Sequence, residues 1–190
     1  MIINVKTTPN PNAMQFIVPE RWINFSWECK NEKDAAKSPL AQKLWQIEGV
    51  KYLMFSTDFV SIIKDPDLIW EILQPDIIES ISEFIISGLT LFETDDVKAL
   101  QKLEKESRAN PEREYTELEK QMITALEDKV QPAIELHGGM VKFEEFKDGI
   151  LLLDMQGACK DCPSSLTTLK DGIENLMKYY FPEIIEVKHV

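Results

Sequence analysis

The chain has 190 residues, 44% hydrophobic and 28% charged, with a formal net charge of −12. That length suits one domain with a generous core or two small ones, and the composition reads as soluble and globular rather than disordered or collagenous. A surface this acidic repels phosphate backbones and anionic lipids, which argues against nucleic acid and membranes as partners. The most apolar stretch, residues 77–92, is interrupted by Glu79 and Glu83 and reads as a core helix instead of a bilayer span. The first residues lack the basic and long apolar regions of a secretory signal and the Arg/Ser richness of a transit peptide. Of three cysteines, two are too close together to frame a disulfide scaffold. That points to a reducing compartment, where Cys-x-x-Cys is metal-binding or redox-active.

From the N-terminus, the turn Pro9-Asn10-Pro11-Asn12 precedes a strand over residues 13–18. Ser38 suits a helix N-cap with Pro39 at the first position, and Leu40, Leu44 and Ile47 form an apolar stripe that Gly49 ends. Residues 50–55 and 59–63 read as a hairpin around Ser56-Thr57-Asp58. Two short helices are expected at residues 67–73 and 76–86, separated because Pro75 interrupts the hydrogen-bond ladder. Residues 88–115 alternate acids with bases around a thin stripe of Leu100 and Leu103, and read as an acidic, partly helical linker between a first domain (1–87) and a last one (116–190).

In the last segment Thr116 and Glu119 stand at capping-box spacing. Leu118, Met122, Leu126, Val130 and Ile134 line one helical face, which Pro132 should kink, and Gly138-Gly139 supplies a left-handed stop. A hairpin follows, residues 141–146 and 150–155 around Asp148-Gly149. Leu166, Leu169, Ile173, Leu176 and Tyr180 mark a second amphipathic helix, ended by Pro182, and residues 184–190 form a last strand. The expected fold class is α+β: two small domains, the second ordered helix–strand–strand–helix–strand, with a small mixed sheet covered on one face by two helices.

The chemistry gathers in Gly157-Ala158-Cys159-Lys160-Asp161-Cys162-Pro163. A two-residue gap lets both sulfurs face one point, as in Zn and iron–sulfur sites. Pro163 suits a first helical position, which places Cys162 near an N-cap where unpaired N–H groups and the helix dipole favour thiolate, and Lys160 adds positive charge. Such sites want about four protein ligands. His137, at a helix end, reads as a complement to the dipole; His189 as solvated; Cys29 as an incidental thiol. The simplest completion is a second chain contributing its own Cys159 and Cys162 across a two-fold axis.

The stretch Gly157-x-Cys159-x-x-Cys162-Pro163-Ser164-Ser165, with Thr168-Leu169-Lys170-x-Gly172-Ile173-Glu174 and Pro182-Glu183-Ile184-x-x-Val187, resembles the C-terminal domain of the Nfu/NifU-like iron–sulfur scaffold and carrier proteins. Leu136-His137-Gly138-Gly139 is similar to the first helix end of that domain. The family usually continues with Asp where this chain has Met140, a departure that touches a local polar contact and not the cysteine loop. Thr8-Pro9-Asn10-Pro11-Asn12 and Asp58-Phe59-Val60-Ser61-Ile62-Ile63-Lys64 resemble the family's N-terminal domain. The resemblance implies a carrier, not an enzyme. A [4Fe–4S] cluster, with [2Fe–2S] as a transient alternative, would be bound by Cys159 and Cys162 of two chains in a homodimer. It would be received from upstream assembly proteins and passed to apo iron–sulfur proteins such as lipoate-synthesis and aconitase-type enzymes. The implied setting is the bacterial cytoplasm, or the mitochondrial matrix for a mature organellar form.

Three rivals stand beside it: a thioredoxin-like dithiol oxidoreductase, a structural Zn site fixing a dimer, and an interaction module with incidental thiols. Against the first, the proline follows the second cysteine instead of lying between the two. In the first domain Trp22, Trp27, Trp45 and Trp70 read as packing and Asn10, Asn12 and Asp58 as turn residues. That domain is expected to dock partners or tune release.

Overall fold

The computed structural model describes residues 3–92, 95, 97–102, 113–159 and 170–190. The first half is a five-stranded antiparallel sheet of β1 (Asn4–Thr7), β2 (Ala13–Ile17), β3 (Trp27–Cys29), β4 (Val50–Phe55) and β5 (Phe59–Lys64), in the order β1-β2-β5-β4-β3. Helices α1 (Glu32–Ala35), α2 (Pro39–Trp45) and α3 (Trp70–Ser87) complete it. The Ser38 side chain accepts from Ala41 N as expected, although α2 ends at Trp45 and Gly49 lies beyond it in a turn, at φ 94°.

Residues 70–87 form one helix and not two, with Pro75 inside it. The reason is burial. A proline within a helix costs about 3 kcal/mol. Leu73, Ile77, Ile81 and Phe84 share the face packed into the core, and burying such side chains stabilises by about 1.5–3 kcal/mol each. The lost ladder bond does not outweigh that face. The four tryptophans are packing, as expected: Trp27 is in the core and Trp22, Trp45 and Trp70 lean on it.

The central strands of this sheet are covered on both faces. Met14 and Phe16 on β2, Leu53 and Phe55 on β4, and Val60 and Ile62 on β5 face the helices in one core. Their alternates, Gln15, Tyr52, Met54, Phe59 and Ser61, are also buried, and Tyr52, Met54 and Phe59 form a separate small cluster against which Met140 of the second half packs. Strands buried on both sides lose the alternation of a solvent-facing sheet.

The second half opens with α4 (Glu117–Ala125), where Thr116 and Glu119 form the expected capping box. Arg113 tightens this start by pairing with Glu119 at 2.6 Å and donating to Glu144 O at 3.1 Å. The disturbance expected at Pro132 takes the form of a π-helical turn, Leu126–Val130, in which Gln131 N–H reaches Leu126 O; α5 (Gln131–Glu135) then restarts with the proline in its first turn. There a missing N–H costs little. The hairpin β6 (Gly139–Lys147) and β7 (Ile150–Gly157) turns through Asp148 and Gly149, both at positive φ. Helix α6 is described over Lys170–Tyr180, and β8 (Glu186–His189) pairs parallel with β7, giving a three-stranded mixed sheet. The α+β class holds in both halves. Among the described residues no helix is long and apolar enough to cross a membrane.

Candidate functional site

Strand β7 delivers the cysteine loop. Leu151 and Leu153 anchor it in the core, and its last residue, Gly157, is paired with Gly139 at the start of β6 and adopts φ 66°. Only glycine suits that corner: a Cβ there would stand 2.5 Å from Gly138 O and 2.6 Å from Met54 Sδ. The corner sends Ala158 N–H to Gly138 O at 2.9 Å and folds Cys159 back beneath β6.

Cys159 is 7% exposed and belongs to the second core. A Cβ on Gly139 would lie 2.3 Å from its Sγ, so the bare backbone of Gly139 forms the cradle for this sulfur. Gly138 at φ 74° makes the left-handed stop expected of it. The Gly138-Gly139 pair therefore ends the helix and seats the thiol. Lys160, Cys162 and Pro163 lie outside the described residues, as do Leu166 and Leu169 of the second amphipathic stripe.

The other possible ligands stand apart from the loop. Cys29 is fully buried in the first core, and burial, aided by nearby Asp34, pushes its thiol up to about 12, which keeps it protonated and a poor ligand at neutral pH. His137 and His189 are exposed, and His137 N–H closes the helix end on Ile134 O. Among the described residues no group of three or more His, Cys, Asp and Glu is placed to hold a metal ion.

The contacts that sequence reasoning missed come from the first half of the chain. Asn10 Nδ2 donates to Ala158 O at 3.1 Å, Gly157 N–H donates to the Tyr52 hydroxyl at 3.1 Å, and Ser61 Oγ donates to Gly138 O at 2.7 Å, all buried. Gln15 Nε2 adds a bond to Glu135 O at 3.0 Å. Asn10 does serve its turn, its Oδ1 accepting from Asn12 N, but its amide nitrogen is committed to the cysteine loop. A signal was present: Asn10 and Ser61 both lie in the N-terminal stretches quoted above, and β4 carries buried-type residues at both parities, Tyr52 and Met54 as well as Leu53 and Phe55.

Fold and sequence together define a class: an α+β half whose β-hairpin runs directly into the Cys-x-x-Cys sequence, packed against a second α+β half. Residues 3–88 match the family described as scaffold protein Nfu/NifU N terminal, and residues 123–188 match the NifU-like domain. The chain belongs to the Nfu/NifU-like iron–sulfur cluster scaffold family, whose members are scaffolds and not catalysts. Over its whole length it is 35% identical to the human NFU1 iron-sulfur cluster scaffold homolog, mitochondrial, spanning 72% of that protein. It is 29% identical to the Drosophila persimilis protein of the same name, spanning 65% of it. A solution structure of a NifU-like protein from Saccharomyces cerevisiae aligns with 49% of this chain and 87% of its own, at 30% identity and a TM-score of 0.43.

Proposed function

We propose that this protein is an iron–sulfur cluster carrier that holds a [4Fe–4S] cluster between two copies of itself through Cys159 and Cys162 and passes it to apo-proteins. In this reading residues 1–87 and 116–190 act as two domains joined by 88–115. The cluster is cargo and not a resident cofactor. Its upstream donors and recipients are proteins of the assembly route, and its setting is a reducing compartment, the mitochondrial matrix or a bacterial cytoplasm. The relatives' names carry the word mitochondrial.

The supporting observation is the ligand count. Around the loop a single chain offers Cys159 and, three residues on, Cys162, while Cys29 is sequestered in the first core and both histidines point to solvent. A cubane cluster is ordinarily held by about four thiolates, so a second chain supplies the remainder. Release then follows from ligand exchange: a recipient with its ligands preorganised in one chain holds the cluster more tightly than two loops sharing it.

The test is anaerobic reconstitution with iron and sulfide followed by native mass spectrometry. A brown species of two chains per cluster, transferable to an apo-protein, is expected. A monomer retaining its iron, or a colourless dimer that takes only Zn, overturns the proposal.

A further inference from the structure

We propose that Asn10, Tyr52 and Ser61 are positioning residues for the cluster loop. From the first half of the chain they hold the backbone on either side of the thiol cradle and keep the Cys159 sulfur inside the core until the seam between the two halves opens.

The contacts converge on the two short segments that bracket Cys159. Ser61 Oγ–H and Ala158 N–H both end on Gly138 O, immediately before the cradle residue Gly139. Tyr52 takes the Gly157 amide at the corner of β7, and Asn10 takes the Ala158 carbonyl, adjacent to Cys159 itself. Tyr52 is in turn held by Glu28, whose carboxylate accepts the phenolic proton and pairs with Lys30 at 2.6 Å. With its proton directed to Glu28, the Tyr52 oxygen is left to accept from Gly157. The chain Lys30–Glu28–Tyr52–Gly157 thus runs from a surface ion pair to the loop backbone.

These bonds are buried, so a loop that moves outward must leave donors and acceptors unsatisfied or rehydrate them. Yet the seam is of a kind that opens. Its packed apolar cluster is small, Tyr52, Met54 and Phe59 with Ile17, Ile63 and Met140. Beside it lies a cleft of about 340 Å³ between the halves, whose lining mixes the apolar Trp27, Leu126 and Phe143 with the charged Glu28, Lys30 and Asp154. Interfaces between domains of one chain permit relative motion unless they are large and hydrophobic, and a cleft interrupts this one. Closed, it stores a thiol at 7% exposure, out of reach of a second chain; open, it frees the cradle for a shared cluster. The consequence for loading rests on the carrier function proposed above, whereas the positioning itself does not.

The experiment uses metal-free, reduced, full-length protein. Brief exposure to iodoacetamide is followed by peptide-resolved mass spectrometry of Cys159, with Cys29 as the internal reference for opening of the first core. Tyr52→Phe removes the acceptor of the Gly157 amide and keeps the ring; Asn10→Asp keeps the turn and removes the donor to Ala158 O. Each should raise the Cys159 alkylation rate about tenfold, as expected for loss of one buried hydrogen bond, with Cys29 unchanged. In the unaltered protein the Gly157 amide should exchange with solvent slowly. Equal Cys159 rates in all three proteins, a rise shared by Cys29, or unprotected exchange at Gly157 would overturn the proposal. Because no iron is present, failure of the carrier function leaves this result intact, and its failure leaves the two-chain cluster to be judged separately.

Discussion

The backbone of Gly139 lies so close beneath the sulfur of Cys159 that a single added methyl group would stand 2.3 Å from Sγ and 3.1 Å from Ile134 Cγ2. The residue that starts a β-strand also sets where a thiol can sit. Gly139→Ala should therefore push Cys159 out of its seat and strain the core, at a cost of about 1–3 kcal/mol typical of overpacking. Thermal melting reads the stability loss, and reconstitution should show fewer clusters retained per pair of chains. An unchanged melt would mean the sulfur has room that the geometry denies it.

Replacing either loop cysteine separates chemistry from folding. Cys159→Ser and Cys162→Ser should each abolish the brown two-chain species in native mass spectrometry. Cys159→Ser buries a hydroxyl in an apolar setting and should cost about 1–3 kcal/mol if the hydroxyl finds no partner, leaving the far-ultraviolet circular dichroism of a folded protein. Cluster retention by either variant would remove the replaced residue from the ligand set.

The start of α4 is held by one buried carboxylate with two tasks. Glu119, 5% exposed, accepts from Thr116 N at 2.9 Å and pairs with Arg113 at 2.6 Å. Glu119→Gln retains a capping-box acceptor and loses the ion pair, whereas Glu119→Ala loses both. Urea denaturation should rank them wild type, Gln, Ala, the last lower by about 2–3 kcal/mol. A glutamine variant as unstable as the alanine one would place the whole effect in the Arg113 pair.

Cys29 predicts an alkaline limit to stability. Burial raises its thiol from an ordinary 9.0 to about 12. Below the lower value folded and unfolded chains both hold the proton and this contribution is constant. Between the two values only the folded chain holds it, so stability falls as pH rises, by up to about 1.4 kcal/mol per pH unit. Denaturation curves at about pH 8 and about pH 10.5 should show a steeper loss for wild type than for Cys29→Ala. Parallel losses would mean that other groups carry the alkaline sensitivity.

Much of the local architecture was legible because it is decided by near neighbours. The Ser38 cap, the Thr116–Glu119 capping box, the Asp148-Gly149 turn and the left-handed stop at Gly138 each depend on a few adjacent residues, and side chains at fixed short spacing carry that information. Pro75 misled because a local penalty of about 3 kcal/mol was set against a burial term visible only once Leu73, Ile77, Ile81 and Phe84 met their core. Pro132 was legible as a disturbance, but its resolution into a π-turn was not, since that depends on which register keeps Val130 and Ile134 facing inward.

By itself, then, the chain of residues determined the α+β class, the cysteine pair and the glycines that flank it, because short-range backbone chemistry specifies caps, turns and ligand spacing. Only the tertiary structure decided that Asn10 and Tyr52 reach the cysteine loop, and Ser61 the glycine pair beside it, from 77 to 148 positions away in the chain, and that Cys159 rests inside a core. Contacts at such separations follow from how two sheets stack their faces, and no local pattern encodes which polar group will meet which across the seam.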